Sequence, residues 1–170
     1  MKMFGNKSIS KLLYFVALGV VIINGLFIAF IGYALVFQQF ELTDNNRFKI
    51  KIPFIESYVM GALDLKTVLV LFLFLAYYLL FFLLLSRILK TFKSKVLFTH
   101  GTIKKLDQFT YINLLFPVAT FVGVLTIGGG ALNDEVVYGM FHVLIAVFSG
   151  FISAIFRQGF RLQQENDLTI

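Results

Sequence analysis

His142 lies near the middle of a long apolar stretch, where an ionisable side chain is costly and points to function. Histidine titrates near neutral pH, so a ring inside a helix bundle could sense protons or a ligand. The plainer role is a neutral ring making one interhelical hydrogen bond, with Asn24, Asn113 or a tyrosine as its partner. A serine nucleophile would need such a base within about 2.6–3.2 Å. Ser149 and Ser153 follow His142 by seven and eleven residues, or about 10 and 16 Å of helical rise, so neither can pair with it along one helix. There is no HExxH stretch, and His100 lies in a polar connecting segment. The chain has no cysteine, which removes thiol catalysis, disulfides and thiolate metal sites together. No carboxylate falls within an apolar stretch to run a proton relay. The expectation is a protein that is not an enzyme, with no catalytic, cofactor-binding or metal-binding residues.

Four apolar stretches must position these groups: about 12–37, 68–89, 111–127 and 136–156. A bilayer core about 30 Å thick needs about 20 apolar residues of helix to cross it. The composition agrees, with 59% hydrophobic and 14% charged residues in 170, against about 25% charged in an average soluble domain. The expected fold is all-α and transmembrane, an antiparallel four-helix bundle forming a single integral membrane domain over 1–170. The first stretch is about 26 residues, too long for a signal-peptide core of about 7–15, and is read as a retained helix.

Flanking charges orient the spans. Lys2, Lys7 and Lys11 precede the first with no acid. The loop 90–110 carries Lys90, Lys93, Lys95, Lys104 and Lys105 against Asp107, while Asp134 and Glu135 stand between the last two spans. The positive-inside rule then puts both termini and the middle loop in the cytoplasm, and Arg157 and Arg161 in the tail 157–170 agree. The net charge of +6 sits beside the spans, which favours anionic lipid at the inner face over direct contact with nucleic acid. In the outer loop, Phe48, Ile50 and Ile52 alternate with Lys49 and Lys51 up to Pro53, the period-two pattern of a half-exposed strand or hairpin. An irregular loop with a chance alternation is the competing reading. The segment 59–65 either starts the second helix early or lies along the interface.

Without a hydrophobic force between helices in lipid, small residues mark where helices approach closely. Gly25, Ala29 and Gly32 form one such seam, and Ala146, Gly150 and Ala154 another beside His142. Both spans are expected to pack in the bundle, and the Gly25/Ala29/Gly32 seam could instead pack across a homo-oligomer. Pro117 frees the carbonyl of Asn113 from its helical partner and predicts a kink, either a hinge or an ordinary membrane-helix proline. Gly128, Gly129 and Gly130 predict a tight hairpin. In the middle loop, Phe92, Val96, Leu97, Ile103, Leu106 and Phe109 among lysines read as an interfacial segment, or else as a solvated linker. Thr99 or Thr102 is placed to cap the following helix.

The tail ends Gly159-Phe160-Arg161-Leu162-Gln163-Gln164-Glu165-Asn166-Asp167-Leu168-Thr169-Ile170, and the loop holds Leu97-Phe98-Thr99 with a later Leu106. With the four-span layout, this resembles the bacterial membrane proteins of the domain of unknown function family 2975 (DUF2975). Leu97 stands where that family often has a proline. The resemblance implies no established activity. It implies residence in the bacterial cytoplasmic membrane and a gene neighbourhood that includes a small helix-turn-helix DNA-binding protein. The leading expectation is therefore a membrane sensor or anchor that binds and controls such a cytosolic regulator through Leu162, Glu165, Asp167, Leu168, Thr169 and Ile170. The alternative is a small transporter or channel subunit for an apolar or antimicrobial molecule.

Overall fold

A computed structural model describes residues 8–43, 46–93, 96–127 and 132–167, with side chains at 121, 123–127, 132–136 and 167 left aside. In chain order it holds α1 (Ile9–Val36), β1 (Glu41–Thr43), β2 (Arg47–Lys51), β3 (Tyr58–Ala62), α2 (Leu65–Phe92), α3 (His100–Ile127) and α4 (Leu132–Asp167). Among the described residues, Ile9–Val36, Leu65–Phe92 and Val137–Asn166 are helices long and apolar enough to cross a membrane. Leucines, isoleucines and phenylalanines lie exposed along all three, Ile23, Leu26, Phe148 and Phe151 among them. An apolar surface of that extent suits the hydrocarbon interior of a membrane. The expected third span, 111–127, falls on α3, part of whose side chains lie outside the described residues. So do the glycines 128–130 and the side chains of Asp134 and Glu135.

The chain divides into two compact units, Gly19–Leu80 and Met1–Leu18 with Phe81–Ile170. In the first, β1, β2 and β3 form an antiparallel sheet in that order. The alternation in 47–51 is a strand: Phe48 and Ile50 point inward, and Lys49 and Lys51 away. Phe48 and Ile50 pack with Ile31 and Ala34 of α1, and Val68, Leu71 and Phe72 of α2 close over them. Phe48 pairs across the sheet with Gly61. A Cβ on Gly61 would sit 2.9 Å from Phe48 Cζ and 3.2 Å from Thr67 Cγ2, so the ring occupies the space a side chain would need. The segment 59–65 is thus mostly strand β3 and not an early start of the second helix. Helix α2 starts only after Asp64, which caps it. The Thr67 amide donates to Oδ1 at 2.9 Å and the Thr67 hydroxyl to Oδ2 at 2.8 Å. These two bonds, the amide first, hold the Asp64 carboxyl below its ordinary pKa.

Gly25 and Gly32 face Leu79 and Phe72 of α2, as small residues at a seam should. Ala29 is exposed. Seven residues nearly complete two helical turns, so 25 and 32 share a face, while the buried side of α1 turns toward Ile31 and Ala34 and leaves Ala29 on the far flank.

In the second unit, Leu84 and Ile88 of α2 meet Leu106 and Phe109 of α3, with Phe92, Ile145 and Phe156 packed around them. The middle segment is therefore largely helix. Thr99 caps α3, its Oγ accepting from the Thr102 amide at 3.2 Å. Ile103, Leu106 and Phe109 recur at three-residue steps and make one stripe, which is buried in protein rather than laid in lipid headgroups. Lys104 points outward, and Lys105 donates to Thr91 Oγ at 3.0 Å. Helix α3 runs through Pro117 without a break. Gly139 of α4 faces that proline, where a Cβ would lie 3.3 Å from the Pro117 Cβ.

Candidate functional site: a polar seam between α3 and α4

Asp107, Thr110 and Asn113 stand three residues apart on α3, and three-residue steps keep side chains on one helix face. Antiparallel to them, α4 brings His142, Ser149, Ser153 and Arg157. Small residues permit the approach: Ala146 is fully buried, and a Cβ on Gly150 would lie 3.5 Å from Thr110 Cγ2.

At the apolar end, His142 Nδ1 lies 2.7 Å from Asn113 Oδ1. Asn113 Nδ2 donates to the Phe109 carbonyl at 2.8 Å, so Oδ1 is the acceptor and Nδ1 of His142 carries the proton. Asn113 is wholly buried and His142 is 5% exposed. Phe116 and Phe81 hold the imidazole, with ring centroids at 4.1 and 5.7 Å. Partway along the seam, the Thr110 and Ser149 hydroxyls are 2.8 Å apart. At the polar end, the Ser153 hydroxyl donates to Asp107 Oδ1 at 2.5 Å. Arg157 Nη2 donates to Oδ2 of the same carboxylate at 3.0 Å and to Oδ1 at 3.3 Å. Beside this pair opens a shallow cleft of about 570 Å³, lined by Asp107, Gly150, Ser153, Ala154, Arg157, Gln158 and Arg161.

Of the three intramembrane polar candidates, the structure joins His142 to Asn113. Asn24 belongs to the unit Gly19–Leu80, where its Oδ1 is buried without a hydrogen-bond partner among the described residues. Ala146 and Gly150 lie on the seam, while Ala154 is exposed at the cleft wall. In the tail, Leu162 and Glu165 are exposed on the last turns of α4. Asp167 ends that helix, and Leu168, Thr169 and Ile170 lie outside the described residues. The sequence reading missed the Asp107–Ser153–Arg157 cluster and the Thr110–Ser149 contact. Their signal is the matched spacing of polar groups on α3 and α4, which stays hidden as long as Asp107 is read as a loop residue.

Chemically, the seam is a line of mutually satisfied groups. His142 is engaged by Asn113, Ser149 by Thr110, and Ser153 by a carboxylate. Such a line fixes the register of two helices and ends in a charged, open cleft. Among the described residues, no group of three or more metal-ligating side chains comes together.

Loop and tail also meet. The Phe98 ring lies on Gly159, where a Cβ would fall 2.8 Å from Cδ1 and Cε1. The same ring lies tilted against Phe156 at 5.1 Å between centroids, and Phe156 in turn lies 5.6 Å from Phe92. The Phe-Thr pair and the tail glycine, noticed as separate stretches of sequence, are thus two sides of one contact. No curated protein and no solved structure matches the chain. The family model described as "Protein of unknown function (DUF2975)" matches residues 6–170. The chain belongs to the DUF2975 family.

Proposed function

We propose that this chain is a four-span, non-enzymatic protein of the bacterial cytoplasmic membrane that holds a small cytosolic helix-turn-helix regulator at its inner face. Both termini and the 90–110 segment lie inside, where lysines and arginines gather. The observation that carries the reading is the end of α4. The helix continues past its apolar stretch to Asp167, and every side chain from Arg161 to Asn166 is exposed. Leu162 is an apolar residue 54% exposed on this otherwise polar surface. A preformed helix costs a partner little ordering entropy, and one exposed leucine with Glu165 three residues on suits a small basic protein. The regulator itself is suggested by the family resemblance and not by the geometry.

The test is deletion of 162–170. The shortened chain is expected to insert into membranes as before and to lose co-purification of a small helix-turn-helix protein from native membranes. Unchanged recruitment removes the tail from the account. A transporter would need a polar path open to water. The seam offers polar groups, but they are bonded to one another, which supports an anchoring role better than a conducting one.

A further inference from the structure

We propose that the cleft beside the Asp107–Arg157 pair binds the phosphate group of an anionic amphiphile such as a phospholipid. The inference rests on the membrane reading above and gives the anionic lipid a defined site. Ala154, Arg157, Gln158 and Arg161 recur at three- and four-residue steps and so face one way from α4. Arg157 is 53% exposed although paired, and Asp107 engages it through Nη2, so the fork keeps donors for a second acceptor. Arg161 lies one turn further on, exposed and without a partner among the described residues. Two guanidinium groups one turn apart suit a phosphate, which each can grip through two N–H groups.

Gly150 and Ala154 leave the wall open, and about 570 Å³ suits a headgroup. Free phosphate and a lipid headgroup share this chemistry. The surroundings favour the lipid. Phe151 and Ile155 flank Ala154 on the same helix, 69% and 51% exposed, within the stretch apolar enough to span a bilayer. A headgroup on the arginines would place its acyl chains along them. Asp107 is then the competitor, since its carboxylate already occupies part of Arg157. A bound phosphate draws Arg157 from Asp107 and loosens the polar end of the seam.

The test uses the full chain purified in neutral detergent, titrated with phosphatidylglycerol, phosphatidylcholine and inorganic phosphate and read by native mass spectrometry. Phosphatidylglycerol is expected to be retained in preference to phosphatidylcholine. Arg161→Gln is expected to weaken that retention about tenfold, with its thermal unfolding midpoint unchanged because the side chain is exposed and makes no hydrogen bond or ion pair among the described residues. Asp107→Asn is expected to tighten it, and Arg161→Lys to fall between wild type and Arg161→Gln. A merely structural Asp107 would give the opposite sign. Equal retention of both lipids, an Arg161→Gln chain that binds as wild type does, or weaker binding by Asp107→Asn overturns the proposal. Displacement of the lipid by inorganic phosphate overturns the amphiphile assignment, and resistance to displacement supports it. Loss of the membrane reading is separately visible, since the chain would then be extracted without detergent.

Discussion

The Asn113–His142 hydrogen bond should couple α3 to α4 by an amount that can be worked out beforehand. The contact is 2.7 Å long, joins residues 29 apart, and is shielded on both sides. Interhelical polar contacts in membranes average about 0.6 kcal/mol and reach about 1.7. Burial and good geometry place this one in the upper half, near 1 kcal/mol, or about a fivefold change in an equilibrium constant. Asn113→Ala alone should cost more, about 2 kcal/mol, because it also removes the bond to the Phe109 carbonyl and leaves the His142 N–H buried without its acceptor. The double-mutant cycle of Asn113→Ala with His142→Ala isolates the shared part. The assay is reversible unfolding of the purified chain in mixed micelles, titrated with a denaturing detergent. A coupling energy of about 0.3 kcal/mol or less, the usual additivity error for separate sites, would refute the claim that this bond registers the two helices.

Leu106→Ala should destabilise the same unit by about 2 kcal/mol or more, because it opens a cavity between Leu84, Ile88 and Phe109. A side chain lying in headgroups would cost far less, so the same unfolding assay separates the two placements. At Asp64 the sign follows from a depressed carboxyl pKa. The cap's contribution is complete above the unfolded value of about 3.9 and disappears as pH falls through the lower folded value. Amide exchange in the first turn of α2 should therefore quicken below about pH 4. Asp64→Asn, whose single amide oxygen can still accept from the Thr67 amide without titrating, should abolish that step.

How much the sequence disclosed depended on whether a pattern was local. The strand at 47–51 was legible because Phe48 and Ile50 alternate with lysines, a period that no helix shares. Its partner at 58–62 was not. Tyr58-Val59-Met60-Gly61-Ala62 has no clean alternation and leads into an apolar helix, and only the seat of Phe48 over Gly61 explains the glycine. Asn113 could be named beside Asn24 and the tyrosines as a partner for His142, because polar groups in apolar stretches are few, but only the packing of α3 on α4 selects it. The Asp107 cluster could not be, since a carboxylate among lysines reads as a loop charge until the helix start at Thr99 is placed. For the same reason Ile103, Leu106 and Phe109 looked like an interfacial surface, although their three-residue steps describe the buried stripe of α3. Ala29 shows the converse limit, because a row of small residues marks where contact is permitted, and the packing of the sheet decides which of them is used.

Which side of a bilayer each end of the chain lies on decides the membrane placement most directly. The natural chain has no cysteine, so single cysteines placed at Lys51, Lys104 and Gln164 can each be tested with a membrane-impermeant maleimide on intact cells and on inside-out vesicles. The expected result is labelling of position 51 from outside only, and of 104 and 164 from inside only. Labelling of 51 and 164 from the same side, or of all three in a detergent-free soluble fraction, would contradict it.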